Sequence, residues 1–117
     1  MLTQAQIAVA IEAEVERMES LVDEIRAAAV TTAKAEADFK VRFSRERLLA
    51  RHDAFSRGEK STVDAVDDIA TVNTEDERYA HLLAANNLST LREALRAAQA
   101  HIDALRTLAA SHRITVP

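Results

Sequence analysis

The sequence predicts an all-α fold: a long helical hairpin resembling an antiparallel coiled coil, with a short connecting helix, assembling into an oligomeric helical bundle. Three observations predict it. Glycine and proline each occur once in 117 residues, so little interrupts a helix. Ala, Leu, Glu and Arg, all strong helix formers, are abundant. Apolar residues recur at three- and four-residue steps through two long segments.

A chain of 117 residues fits one helical domain, 1–117. Charge divides it into an acidic N-terminal helix portion (1–33, net −4) and a basic helix portion (34–58, net +3). The return helices occupy 61–112, with net −5 over residues 59–79 and net +2 over residues 80–117. Such banding steers a polyanion to one zone of an acidic body, or pairs one subunit with another. With four aromatic residues and many alanines the core is thin, because a buried large apolar side chain contributes about 1.5–3 kcal/mol and Ala much less. Self-association into a homo-oligomer is the expected remedy.

From Thr3 to Arg57 no Gly or Pro intervenes, and Ile7, Ile11, Val15, Met18, Val22, Ile25 and Ala29 form a helical stripe. Glu12, Glu16, Arg17, Glu19, Asp23 and Arg26 mark its solvated side. The stripe weakens at Val30-Thr-Thr32, where a long helix would bend or change partner. It resumes with Phe39 and Phe43, and with Val41, Leu48 and Phe55 at seven-residue intervals. A continuous helix here would be about 80 Å long.

Gly58 is the expected helix-terminating residue, and Ser61 with Asp64 has capping-box spacing for a fresh start. Val63, Val66 and Ile69 then mark a short amphipathic helix with Asp64, Asp67 and Asp68 on its acidic side. Thr74 with Glu77 offers a second capping box, so residues 62–112 read equally as one helix or two. In the last segment Leu88, Leu91, Leu95, Ala98, Ile102, Leu105, Ala109 and His112 alternate three- and four-residue steps, a heptad seam. Leu88 to Leu105 is thus the expected core or oligomer seam, widened by Tyr79, Leu82, Leu83 and Leu108. A helix over Glu75–His112 follows, ended by the β-branched residues and proline of Ile114-Thr-Val-Pro117.

Chemistry-bearing motifs are sparse. Without cysteine there is neither a disulfide nor a thiolate metal site. His101 and His112 lie three turns apart, too far to chelate one ion together, and the full carboxylate-histidine set of a helical-bundle di-iron site is missing. His52 and His81 join them as solvated or seam-edge residues, so no metal and no cofactor are expected. No glycine-bordered serine or phosphate-binding loop occurs, and Asp67-Asp68 and Glu75-Asp76-Glu77 suit helix starts. The expectation is a non-enzyme. No run approaches the ~20 apolar residues that a bilayer requires, and the N-terminus lacks a signal-peptide pattern. A cytoplasmic protein without membrane contact is expected.

The candidate binding residues are Lys40, Arg42, Arg45, Arg47, Arg51, Arg57 and Lys60. On a helix Lys40, Arg47 and Arg51 form one ridge, and Arg42 and Arg45 a second cluster. Guanidinium groups so arranged donate bidentate hydrogen bonds to phosphate. Alternatively they pair with Glu46, Asp53 and the acidic short helix beyond the turn. Phe39, Phe43 and Phe55 are expected as core rather than as base-stacking platforms.

The run Ala35-Glu-Ala-Asp-Phe-Lys-Val-Arg-Phe-Ser-Arg45 is followed by Ala54-Phe-Ser-Arg-Gly58 and an acidic helix. Then come Tyr79-Ala-His-Leu-Leu83 and Leu91-Arg-Glu-Ala-Leu-Arg-Ala-Ala-Gln-Ala-His-Ile-Asp103, and this order resembles the phage UvsY-type recombination mediators over roughly residues 34–112. The chain is also similar to small helical proteins of actinobacterial phages. The mediator resemblance implies an oligomer that grips single-stranded DNA, loosens the single-strand-binding protein and helps load a recombinase. It implies DNA contact through Lys40, Arg42, Arg45, Arg47 and Arg51, and assembly through Leu91 to Leu105. The other expectation is a helical protein–protein interaction module, acting as scaffold, adaptor or host-targeting inhibitor without nucleic-acid binding.

Overall fold

The computed structural model describes residues 1–115, and three helices account for nearly all of them: α1 (Gln4–Ser56), α2 (Val63–Asn73) and α3 (Glu75–Thr115). Among the described residues there is no strand. The expected role of Pro117 in ending α3 lies outside them.

α1 starts at a reciprocal cap between Thr3 and Gln6. The Thr3 hydroxyl accepts from the Gln6 amide at 3.1 Å, and the Gln6 side chain accepts from the Thr3 amide at 2.8 Å. Each satisfies an amide that the first turn leaves without a helical partner. At the other end Gly58 has φ +69°, with Gly58 N–H donating to the Phe55 carbonyl (3.0 Å) and Glu59 N–H to that of Ala54 (2.9 Å). These two bonds make a Schellman close, and a left-handed residue is what it needs. The expected glycine stop is therefore where the helix ends.

α2 starts one residue later than the proposed Ser61–Asp64 box: Thr62 is the N-cap and accepts from Ala65 N–H at 3.1 Å. Val66 and Ala70 face inward with Thr74, whereas Val63 and Ile69, expected on the apolar side, are exposed. The second proposed box is also corrected. Thr74 turns its hydroxyl back to donate to the Ala70 carbonyl at 2.7 Å instead of accepting from the α3 start. The helix break is nevertheless real, confined to Thr74 at φ −115°, ψ 21°.

The chain's contacts group into two units, Met1–Ala28 with Leu88–Pro117, and Ala29–Asn87. In the first, α1 and α3 run antiparallel: Ile7 packs with Leu105 and Ala109, Gln4 Nε2 donates to the Ala109 carbonyl at 3.2 Å, and Glu14 meets His101. All eight residues of the expected α3 seam are buried or half-buried. In the second unit α1 again runs antiparallel to α3, with Phe39 against His81 and Arg42 beside Glu77.

The interior of α1 differs from the expected stripe by one position in three turns. Glu14, Leu21 and Ala28 point inward, and Val15, Val22 and Ala29 lie at the seam's edge or outside. With them, the inward positions from Ile7 through Ile11, Met18, Ile25, Thr32, Ala35, Phe39 and Arg42 to Glu46 alternate four- and three-residue steps without a fault. An adjacent position is rotated only about 100°, within the width of an apolar stripe. The partner helix therefore selects the register, and His101, 3.4 Å from Glu14, gives that carboxylate a reason to face it. Among the described residues no helix is long and apolar enough to cross a membrane.

Candidate functional site

The basic segment lies wholly in the second unit, where its cations divide into two groups. Arg42 Nη2 contacts Glu46 Oε1 at 2.9 Å, and its Nε lies 3.8 Å from Glu77 Oε1. Glu46 is buried and also accepts from Asn73 Nδ2 at 3.0 Å. One carboxylate thus ties α1 to the end of α2. Arg47 Nε stands 2.9 Å from Asp67 Oδ1, with both atoms out of water. Their alignment is too poor for a directional hydrogen bond, so this contact acts as an ion pair. Both arginines meet the carboxylates that the alternative reading named, Glu46 and the acidic helix beyond the turn.

The remaining cations face solvent. Lys40 pairs with Glu36 at 2.8 Å and Arg57 with Glu59 at 3.3 Å, both on the surface. The Lys40 ammonium, by hydrogen bond first and by charge second, holds the Glu36 carboxyl below its usual range against a small opposing effect of burial. Arg45, Arg51 and Lys60 are exposed and make no ion pair among the described residues. The expected ridge of Lys40, Arg47 and Arg51 is therefore divided, because Arg47 turns to Asp67.

Phe39 and Phe43 are half-buried with ring centroids 5.9 Å apart, and Phe39 stacks on His81 at 6.3 Å. Their core role agrees with expectation. Phe55 does not: it is 83% exposed, and Val41 and Leu48 on the same face are 59% and 65% exposed. Tyr79, Leu82, Leu83 and Leu108, expected to widen the α3 seam, are exposed too. The signal was present in the spacing. Phe39 and Val41 are two residues apart and so lie about 200° apart around a helix, so their two stripes cannot share one partner.

Two hollows follow from this inversion. One on α1 is lined by Lys40, Val41, Ser44, Arg45 and Leu48. The other, at the α2–α3 junction, is lined by Thr71, Val72, Glu75, Asp76, Arg78, Tyr79 and Leu82. Both combine apolar floors with charged rims. The histidines are dispersed: His52 is exposed, His81 stacks on Phe39, His101 meets Glu14 and His112 is half-buried. The chain matches no family model, no curated protein and no solved structure.

Proposed function

We propose that this chain is a non-enzymatic, self-associating helical module whose task is protein–protein interaction. One observation carries the reading. In the unit Ala29–Asn87 the interior takes up charged and polar groups, Arg42, Glu46 and Thr74 among them, while Val41, Leu48, Phe55, Val72, Tyr79 and Leu82 face outward. Scattered exposed apolar residues are ordinary, but concentration on two faces of one unit is the pattern of an interaction surface. Sedimentation velocity between about 1 and 100 μM, bracketing common micromolar affinities, tests it. The expected result is a weight-average mass that rises with concentration. A monomer throughout overturns self-association.

A specific observation also favours single-stranded DNA binding of the mediator kind: Arg45, Arg51 and Lys60 are exposed cations without an ion pair among the described residues. Recombinase loading and contact with a single-strand-binding protein belong to this second reading. Fluorescence anisotropy with a short oligonucleotide over a salt series separates the possibilities. Three phosphate contacts give a log–log slope of about −2, and all seven candidate cations about −5. No binding at low salt removes the DNA reading.

A further inference from the structure

Resting on the self-association just proposed, we infer where two copies meet: the Val41–Leu48–Phe55 face of α1 on one copy docks onto the Val72–Tyr79–Leu82 hollow of another. The first support is spacing. Val41, Leu48 and Phe55 recur every seven residues on the outer side of α1, and Val72, Tyr79 and Leu82 line one hollow at the α2–α3 junction. A seven-residue repeat puts the three α1 side chains in one row, as an element that lays knobs against a partner requires.

Charge supplies the second. The α1 face is flanked by Arg45 and carries Arg51 within it, and the hollow is rimmed by Glu75 and Asp76. None of these four groups has an ion pair among the described residues, although other arginines and carboxylates there do pair. Arg78 also borders the hollow and offsets part of its acidity, leaving a net negative rim. The two carboxylates favour the first turn of α3, where the helix dipole welcomes them. That role uses their charge without covering it. An acidic apolar hollow and a basic apolar ridge on one chain therefore make a second copy of the chain the fitting occupant. Because the two patches differ, copies close reciprocally as a dimer or continue head to tail as a ring.

Paired charge reversal tests the surface. Arg45→Glu with Arg51→Glu makes both faces acidic, and Glu75→Lys with Asp76→Lys makes both basic. Each variant alone is expected to weaken self-association by about tenfold or more, as like charges meet. An equimolar mixture restores association, since every acidic face then finds a basic one. Circular dichroism of each variant establishes that the helices persist, and the mixture reports on the surface even if one variant is less stable. Wild-type protein that associates alongside variants that associate equally well overturns this surface and leaves the interaction reading standing. Two weakened variants that fail to rescue each other also overturn it. A wild-type chain that is monomeric throughout overturns both.

Discussion

Arg42–Glu46 and Glu36–Lys40 are both i, i+4 pairs on α1, and two lines of physics rank them oppositely. In an isolated helix a carboxylate N-terminal to its cation is the better orientation, which favours Glu36–Lys40. The fold reverses this. Arg42 and Glu46 side chains are 42% and 10% exposed, against 71% and 44% for Lys40 and Glu36, and Glu46 has Asn73 as a second donor. A hydrogen bond to a charged group contributes about 1.5–3 kcal/mol. Because Arg42 remains partly in water, about 1–1.5 kcal/mol is the coupling expected from an Arg42→Ala, Glu46→Ala double-mutant cycle. Glu46→Ala alone should cost more, about 2–3 kcal/mol, since it removes two hydrogen bonds to a buried carboxylate at once, from Arg42 and from Asn73. Urea unfolding followed by circular dichroism reads these values, the larger one as a midpoint shift of about 1 M. Protein concentration must be held constant, because association shifts apparent stability. About 1 M NaCl should erase the Glu36–Lys40 coupling and leave most of the Arg42–Glu46 coupling. Equal couplings, or a larger one for Glu36–Lys40, would refute the claim that burial of Glu46 makes Arg42 a structural residue.

Gly58→Ala should destabilise by about 1–2 kcal/mol through its left-handed backbone alone, because no atom lies within 4 Å of where a Cβ would stand. Asn at the same position should recover much of that loss in urea titrations. Ile7→Ala should cost about 2–5 kcal/mol by emptying the contact with Leu105 and Ala109, and differential scanning calorimetry would show the lowered midpoint. Lys40→Gln should move the Glu36 titration, followed by carboxyl NMR shifts, upward toward its ordinary range. The sign follows from linkage: a depressed carboxylate pKa contributes stability above the unfolded-state value, and that stability is lost as pH falls through the depressed one.

The helices and the Gly58 stop were legible because they depend on local rules: propensity, capping glycine and periodicity. The α3 seam was legible for the same reason, since no inward step from Leu88 to Leu105 has an apolar neighbour larger than alanine beside it. On α1 the neighbours Glu14-Val15 and Leu21-Val22 offer two registers, and only the partner helix decides between them. Hydrophobicity chose Val15, whereas His101 across the seam draws Glu14 inward. The Thr3-x-x-Gln6 box was available from sequence and overlooked. Whether residues 62–112 break at Thr74 was open in the sequence, and its hydroxyl turns back on α2 instead of capping α3. The basic segment was identified as a group, yet which arginines it releases to solvent depends on where α2 places Asp67 and Asn73.

The inverted patterning of the second unit ties these details to function. The interior of this unit admits Arg42, Glu46, Thr74, Glu77 and His81 beside Phe39, Phe43 and small residues such as Ala50, Ala54 and Ala70. Polar groups inside a seam are satisfied in one register and left unpaired in others, so they specify alignment at the expense of stability. Glu46 illustrates this, since a slip of one position would part it from Asn73 on α2 and leave it only its partner on the same helix, Arg42. Large apolar side chains are found instead on the outer faces, at seven-residue spacing on α1 and beside charges that have no ion pair among the described residues. A chain optimised only to fold alone would have placed them the other way round. In the proposed assembly the outer faces are covered, and the burial missing inside and the apolar residues found outside become two halves of one design.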